Sequence, residues 1–308
     1  MGNIIVKSAF EWDKKNLCYK LDASLKELGG FDRRFAGAVT ENDIADIKTV
    51  TVLEELLGIA RPLYVLNNAV RVEPTDTLEL TVDVATKLSA QEDVPDFVEA
   101  DLKKQSYTPV SFDLLPNVVH VAVGGKAGRQ ARHNVLARSI EDGAKALAAS
   151  KNSQIATVLN SGTRTGAGGN WTSDNPYTDI NMAIASVEDT YEAGIVDTLA
   201  APRSVWSAFF SNDKVKGQLL GASLPTNKTP IFSVPGLPGI IGIMDTNITA
   251  AAMVACDKAQ YAALAQGPIE AEGYRNPRGN YNAWIVRDWK KPKLTVNNAG
   301  YVLTALLS

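Results

Sequence analysis

Apolar residues change their period along the chain. From Thr77 onward Leu78, Leu80, Val82 and Val84 alternate with Glu79, Thr81 and Asp83, and the alternation returns at Val110, Phe112 and Leu114. A period of two sends successive side chains to opposite faces of a strand, so these limbs predict a long two-stranded hairpin. The tip between them, residues 91–104, is acidic and interrupted by Pro95. A lone two-stranded hairpin is marginal in water and needs support. Its own domain or another subunit would serve, and the pattern leaves both open.

An extended stretch at residues 107–123 then runs into a Gly-rich hinge at 124–129. Beyond it Val135, Leu136, Ile140, Ala144, Leu147, Ile155, Val158 and Leu159 recur at steps of three and four, which predicts a helix. No proline interrupts the pattern, and alanine is the residue that costs least in a helix interior. About 30 residues at 1.5 Å each would make a rod of roughly 45 Å, longer than one small core requires. A spine carrying structure at both ends is expected. Two helices broken near Ser150-Lys-Asn-Ser153 are the alternative.

The remaining stretches are shorter. Residues 1–60 form a loosely organised arm in which Phe10, Trp12, Phe31 and Phe35 need a surface to lie on, the chain's own body or a neighbouring copy. Ile44, Ile47, Val50, Leu53 and Leu56 suggest one short amphipathic helix or two. After the spine, residues 161–171 read as a mobile Gly-rich loop, 180–193 as a helix, 195–199 as a strand, and Pro202 as the opening of another helix. Short buried strands follow in residues 230–244, so 166–265 reads as an α/β lobe. Extended segments at 269–274, 281–289 and 301–306 are separated by two basic turns. Arg275 and Arg278 lie in the first, and Lys290, Lys291 and Lys293 in the second.

Composition narrows the function classes. With 45% hydrophobic and 21% charged residues the chain has the makeup of a folded globular protein. A net charge of −3 gives no global attraction for nucleic acid or anionic membranes, and the arm mixes both signs, unlike a basic packaging tail. Residues 1–11 lack the basic start and apolar core of a signal peptide, and no apolar run reaches about 20 residues, so cytoplasmic synthesis and no membrane span are expected.

The chemistry-bearing residues form no known constellation. The two cysteines, Cys18 and Cys256, make neither a disulfide framework nor a metal cluster. His120 and His133 have no nucleophile elbow beside them and are expected to be structural. The Gly124–Arg129 hinge and Gly166–Gly169 match neither phosphate-binding fingerprint. Glu92, Asp93, Asp96, Glu99 and Asp101 lack the spacing of a Ca²⁺ loop. No catalytic residue, cofactor or metal is expected.

The order of parts resembles the major capsid protein of tailed bacteriophages and archaeal tailed viruses, a fold shared with herpesvirus capsid floors and encapsulin nanocompartments. The resemblance covers nearly the whole chain as a segment order. Glu92-Asp-Val-Pro-Asp96, residues 107–115, Ala201-Pro-Arg-Ser-Val-Trp-Ser207 and residues 280–288 carry it most. It implies an α+β fold with an N-terminal arm (1–58), a peripheral domain holding the spine helix (59–75, 113–165 and 266–296), an extended β-hairpin loop (76–112) and an α/β axial domain (166–265 and 297–308). It further implies a structural, non-enzymatic subunit that assembles through hexamers and pentamers into an icosahedral shell around double-stranded DNA. The portal would be a partner, together with a separate scaffolding protein or with none, and the virion would be its location.

The chain departs from one familiar pattern by lacking a long N-terminal helical scaffold segment. Intersubunit contacts are expected at Phe10, Trp12, Phe31 and Phe35, and between the acidic tip (Glu92, Asp93, Asp96, Glu99, Asp101) and the basic turns (Arg275, Arg278, Lys290, Lys291, Lys293). An encapsulin-type compartment shell is the alternative within this fold, and a cytoplasmic α/β enzyme with a mobile lid is a third reading.

Overall fold

In the computed structural model, which describes residues 10–13, 18–21, 41–85, 105–124, 135–190, 194–217, 229–276, 278–279 and 281–307, the chain divides into two units, 1–51 and 52–308. The first unit contains strands β1 (Phe10–Asp13) and β2 (Cys18–Leu21), an antiparallel pair with Phe10 opposite Leu21 and Trp12 opposite Tyr19. Helix α1 (Glu41–Ala60) begins in this unit, so the apolar period of residues 44–57 forms a single helix of 20 residues.

In the second unit, short 3-10 turns lead to β3 (Arg71–Pro74), β4 (Glu79–Ala85), β5 (Tyr107–Asp113) and β6 (Leu115–Gly124). Helix α2 (Val135–Asn160), β7 (Thr165–Ala167), α3 (Pro176–Thr190), β8 (Thr198–Ala201), α4 (Arg203–Ser211) and α5 (Asp213–Lys216) follow. The chain closes with β9 (Ile231–Ser233), β10 (Ile241–Met244), β11 (Met253–Cys256), β12 (Ala262–Asn276), β13 (Tyr281–Leu294) and β14 (Gly300–Thr304).

Two larger sheets organise these elements. One has the order β3-β12-β13-β6, and the other β7-β14-β11-β8-β10-β9. Helix α2 serves both. Ile140, Ala144, Leu147 and Ala148 pack with Val121, Trp284 and Val286 of the four-stranded sheet. About two to three turns on, Ile155, Ala156 and Leu159 join Ala200, Ile243, Val254 and Tyr261 against the six-stranded sheet. The helix is therefore a spine with a core at each end, 26 residues or roughly 39 Å long, and it passes through Ser150–Ser153 without a break. Gly143 brings it close to β6, since a Cβ there would lie 3.1 Å from both Val119 and Val121.

The other face of the six-stranded sheet is covered by α3 and α4. Trp171, Ile180, Val187, Val205, Trp206 and Phe209 form that core with Leu199, Met253 and Leu303. This corrects the expectation of a mobile loop at 161–171. Thr165–Ala167 is strand β7, parallel to β14, and Trp171 is fully buried with its indole nitrogen donating to Asp179 Oδ2 at 2.8 Å. The glycines serve packing here: a Cβ on Gly168 would fall 2.5 Å from Leu306.

A second correction concerns the expected basic turn at 290–293. Strand β13 runs through it to Leu294, and Lys290, Lys291, Pro292 and Lys293 pair with Gln266, Ala265, Leu264 and Ala263 of β12. The proline is tolerated because β6 stops pairing with β13 at Lys290, so beyond that point β13 has a neighbour on one side only and a missing N–H can face the open side. On β12, Gly267 and Pro268 sit where the register shifts between Gln266 and Ile269, a bulge that also removes the need for a donor.

Candidate intersubunit contact sites

The hairpin stem is where alternation, charge and exposure meet. Strands β4 and β5 pair antiparallel from Glu79 opposite Asp113 to Ala85 opposite Tyr107. One face turns inward: Leu80, Val82, Val110 and Phe112 pack with Leu114, Ala263, Ala265 and Trp289, so the base of the hairpin rests on the four-stranded sheet of its own chain. The other face exposes Glu79, Thr81, Asp83, Ser111 and Asp113. Like charges directly opposite, as at Glu79 and Asp113, are unfavourable in a strand pair. The acidic tip residues Glu92, Asp93, Asp96, Glu99 and Asp101 lie outside the described residues, as do Phe31, Phe35, His133 and the hinge residues 125–129. Phe10 and Trp12 fall in strand β1.

The five basic residues expected on turns separate into four kinds. Arg275 and Arg278 are exposed at the β12–β13 turn. That turn is fixed by Asn276, whose side-chain oxygen accepts from the Gly279 N–H at 3.0 Å and whose amide donates to the Tyr281 hydroxyl at 2.9 Å. Lys291 is half-buried on β13. Lys293 donates from Nζ to the Ser111 carbonyl at 2.5 Å, which ties it to the hairpin of its own chain. Lys290 is not on the surface at all: its side chain is 0% exposed and pairs with Asp288 at 2.8 Å, with Asp288 equally buried.

Lys290 belongs to a polar joint between α2 and the sheet that the sequence reading missed. Trp284, Val286, Asp288 and Lys290 occupy one face of β13, so period two places both charges on the side that packs against α2. The helix answers with the residues that resembled a break. Lys151 donates to Gln266 Oε1 at 2.8 Å and lies 4.4 Å from the centre of the Tyr64 ring. Ser150 Oγ accepts from Asn117 at 3.0 Å, Gln154 donates to Asn117 at 2.9 Å, and Asn152 donates to the Leu63 carbonyl at 2.9 Å. Burial pulls the Lys151 ammonium down to about 8, with Lys290 adding to the shift and Asp288 opposing it. Burial likewise lowers Lys290 and raises the Tyr64 hydroxyl.

The solvent face of the four-stranded sheet is mixed. Val118 (54% exposed) stands beside His120, which shares a hydrogen bond of 2.9 Å with the Tyr274 hydroxyl. Arg287 pairs with Glu272 at 3.2 Å. Among the described residues no group of three or more His, Cys, Asp or Glu side chains is placed to hold a metal ion, and no helix is long and apolar enough to cross a membrane.

No family model matches the chain, and no curated protein sequence matches it. Solved structures do. The capsid of a native GTA particle superposes with a TM-score of 0.60 at 11% identity, over 79% of this chain and 90% of that one. A virus-like particle from Pyrococcus furiosus gives 0.55 at 16% identity, covering 81% and 96%. A chain of Mycobacterium phage Che8 gives 0.55 at 16% identity, covering 72% and 84%.

Proposed function

We propose that this chain, which has the fold of the major capsid proteins of tailed bacteriophages and archaeal tailed viruses, is a structural shell subunit. The observation that carries the reading is that the likeness to capsid and particle chains extends over most of both partners. An exposed hairpin stem rooted on its own sheet adds to it. Heterologous contacts between such subunits close into rings of five and six, and rings close a shell. In this reading residues 1–58 act as the arm, 76–112 as the projecting loop, 59–75, 113–165 and 266–296 as the peripheral domain, and 166–265 with 297–308 as the axial domain. Double-stranded DNA is the content of the shell, held without sequence-specific contacts. Further copies of the chain and a portal are the partners, and the virion is the location.

Within the shell, the acidic hairpin of one subunit docks on basic groups of the next. Arg275, Arg278 and Lys291 remain for that role, because Lys290 and Lys293 are engaged within the subunit. Complementary charge sets orientation and encounter rate, while each exposed pair contributes only about 0–1 kcal/mol. Exchanging Glu92, Asp93, Asp96, Glu99 and Asp101 for lysine together is expected to leave a folded subunit with a large loss of assembled material in sedimentation. Reversing Arg275, Arg278 and Lys291 to glutamate in the same chain is expected to restore part of it. Assembly indifferent to both sets of changes would mean that charge does not dock the hairpin.

A further inference from the structure

The joint between α2 and β13 buries more positive than negative charge. Lys151 is 1% exposed, and Asp288 and Lys290 have fully buried side chains. Two ammonium groups therefore share one carboxylate. Asp288 Oδ2 accepts from Lys290, whereas Asp288 Oδ1 and the Tyr64 hydroxyl are buried without a hydrogen-bond partner. The other groups bearing on Lys151 are Gln266, which accepts its hydrogen bond, and the Tyr64 ring, on which Arg61 acts from the adjoining 3-10 turn.

We propose that this cluster is a pH-sensitive joint between the long helix and the four-stranded sheet. With Lys151 protonated, the joint holds one uncompensated cation in a low-dielectric interior and is loosened. With Lys151 neutral, the Asp288–Lys290 pair stands alone, the uncharged amine still donates to Gln266, and the joint tightens. The same helical turn is held by Ser150, Asn152 and Gln154, and it lies between the helix residues that serve the two cores. Loosening there changes how firmly the spine is fixed to one sheet relative to the other.

The sign follows from linkage. The folded chain releases the Lys151 proton near pH 8, whereas the unfolded chain keeps it to an ordinary value of 10.5. Between those values the unfolded state binds more protons, so this site adds stability as pH rises and adds none below the window. Burial also raises the Cys256 thiol and the Tyr64 and Tyr261 hydroxyls, which oppose the trend at high pH. The readout is therefore the difference between the wild type and a variant.

Thermal unfolding of the full-length, unassembled chain from pH 7 to pH 10 tests the proposal with Lys151→Met and Lys151→Arg. The methionine variant is expected to melt several degrees above the wild type at pH 7, with the gap closing as pH rises. The arginine variant, whose charge persists, is expected to stay below the wild type and to gain nothing. A gap between methionine variant and wild type that stays constant over the whole range would overturn the proposal. Should the methionine variant fail to fold, the ¹³Cε signal of Lys151 in the wild-type chain decides. A titration midpoint near 8 supports the joint, and one at the ordinary 10.5 removes it.

Discussion

Replacing Asp288 with alanine is expected to destabilise the subunit by about 3–5 kcal/mol, the usual consequence of removing one partner of a buried ion pair. The reason lies in what is left behind. Lys290 has no solvent exposure and donates to Asp288 at 2.8 Å, and Lys151 is buried in the same cluster. Without the carboxylate two ammonium groups occupy an apolar interior with no counter-charge. Losing the proton from a lysine relieves part of this, so the deficit should shrink at alkaline pH. Removing Asp288 together with Lys290, as Asp288→Leu with Lys290→Met, is expected to recover most of the loss, because an apolar replacement of a whole buried pair is often neutral. Denaturant unfolding of the two variants against the wild type measures both effects. Equal stability of Asp288→Ala and the wild type would show that the cluster is hydrated rather than dry.

Trp206→Ala should be comparably damaging, by about 3–5 kcal/mol for a buried tryptophan. Trp206 is 1% exposed on α4, and its indole nitrogen donates to the Ile243 carbonyl at 2.9 Å. Its ring meets Phe232 edge-on at 4.8 Å and Phe209 at 5.6 Å between centroids, which joins the helix to β9 and to the aromatic core. Edge-to-face pairs contribute about 0.5–1.5 kcal/mol beyond their buried area. Trp206→Phe keeps a ring but not the donor and is expected to fall between the two. Denaturant midpoints that place phenylalanine level with alanine would assign the effect to the hydrogen bond rather than to packing.

How legible these features were depended on whether local pattern and tertiary environment agreed. The hairpin limbs, α2 and the helix after Pro202 read correctly because each buries one face and exposes another, which leaves a period in the sequence. The β7 stretch did not read as a strand, since Gly166 and its neighbours owe their identity to close packing and not to alternation: a Cβ on Gly166 would collide with the Tyr301 hydroxyl. Lys290–Lys293 resembled a solvated turn because lysine next to proline is usually exposed. Its strand character comes from pairing with β12, where the partners of Lys290–Lys293 are Gln266 to Ala263, distant in sequence. The alternation through Trp284, Val286 and Asp288 was the available signal that Lys290 faces inward.

The polar joint was hidden for a related reason. Ser150, Lys151, Asn152 and Ser153 resemble a helix break because polar residues concentrate where helices end. Their partners, Asn117, Gln266 and the Leu63 carbonyl, come from three distant segments that only the fold assembles. The candidate docking residues divided in the same way. Charge pattern identified basic side chains, but which of them have partners inside the subunit is a tertiary fact.

Electron microscopy of the purified protein, free of any other component, tests the shell reading most directly. Closed particles of uniform size, whose averaged images resolve rings of five and six subunits, are the predicted result. Nucleic acid inside particles recovered from infected or induced cells would support a DNA-filled shell, and a protein cargo would point to a compartment. Folded subunits that remain dispersed at high concentration, with neither rings nor shells under any salt condition, would contradict the account.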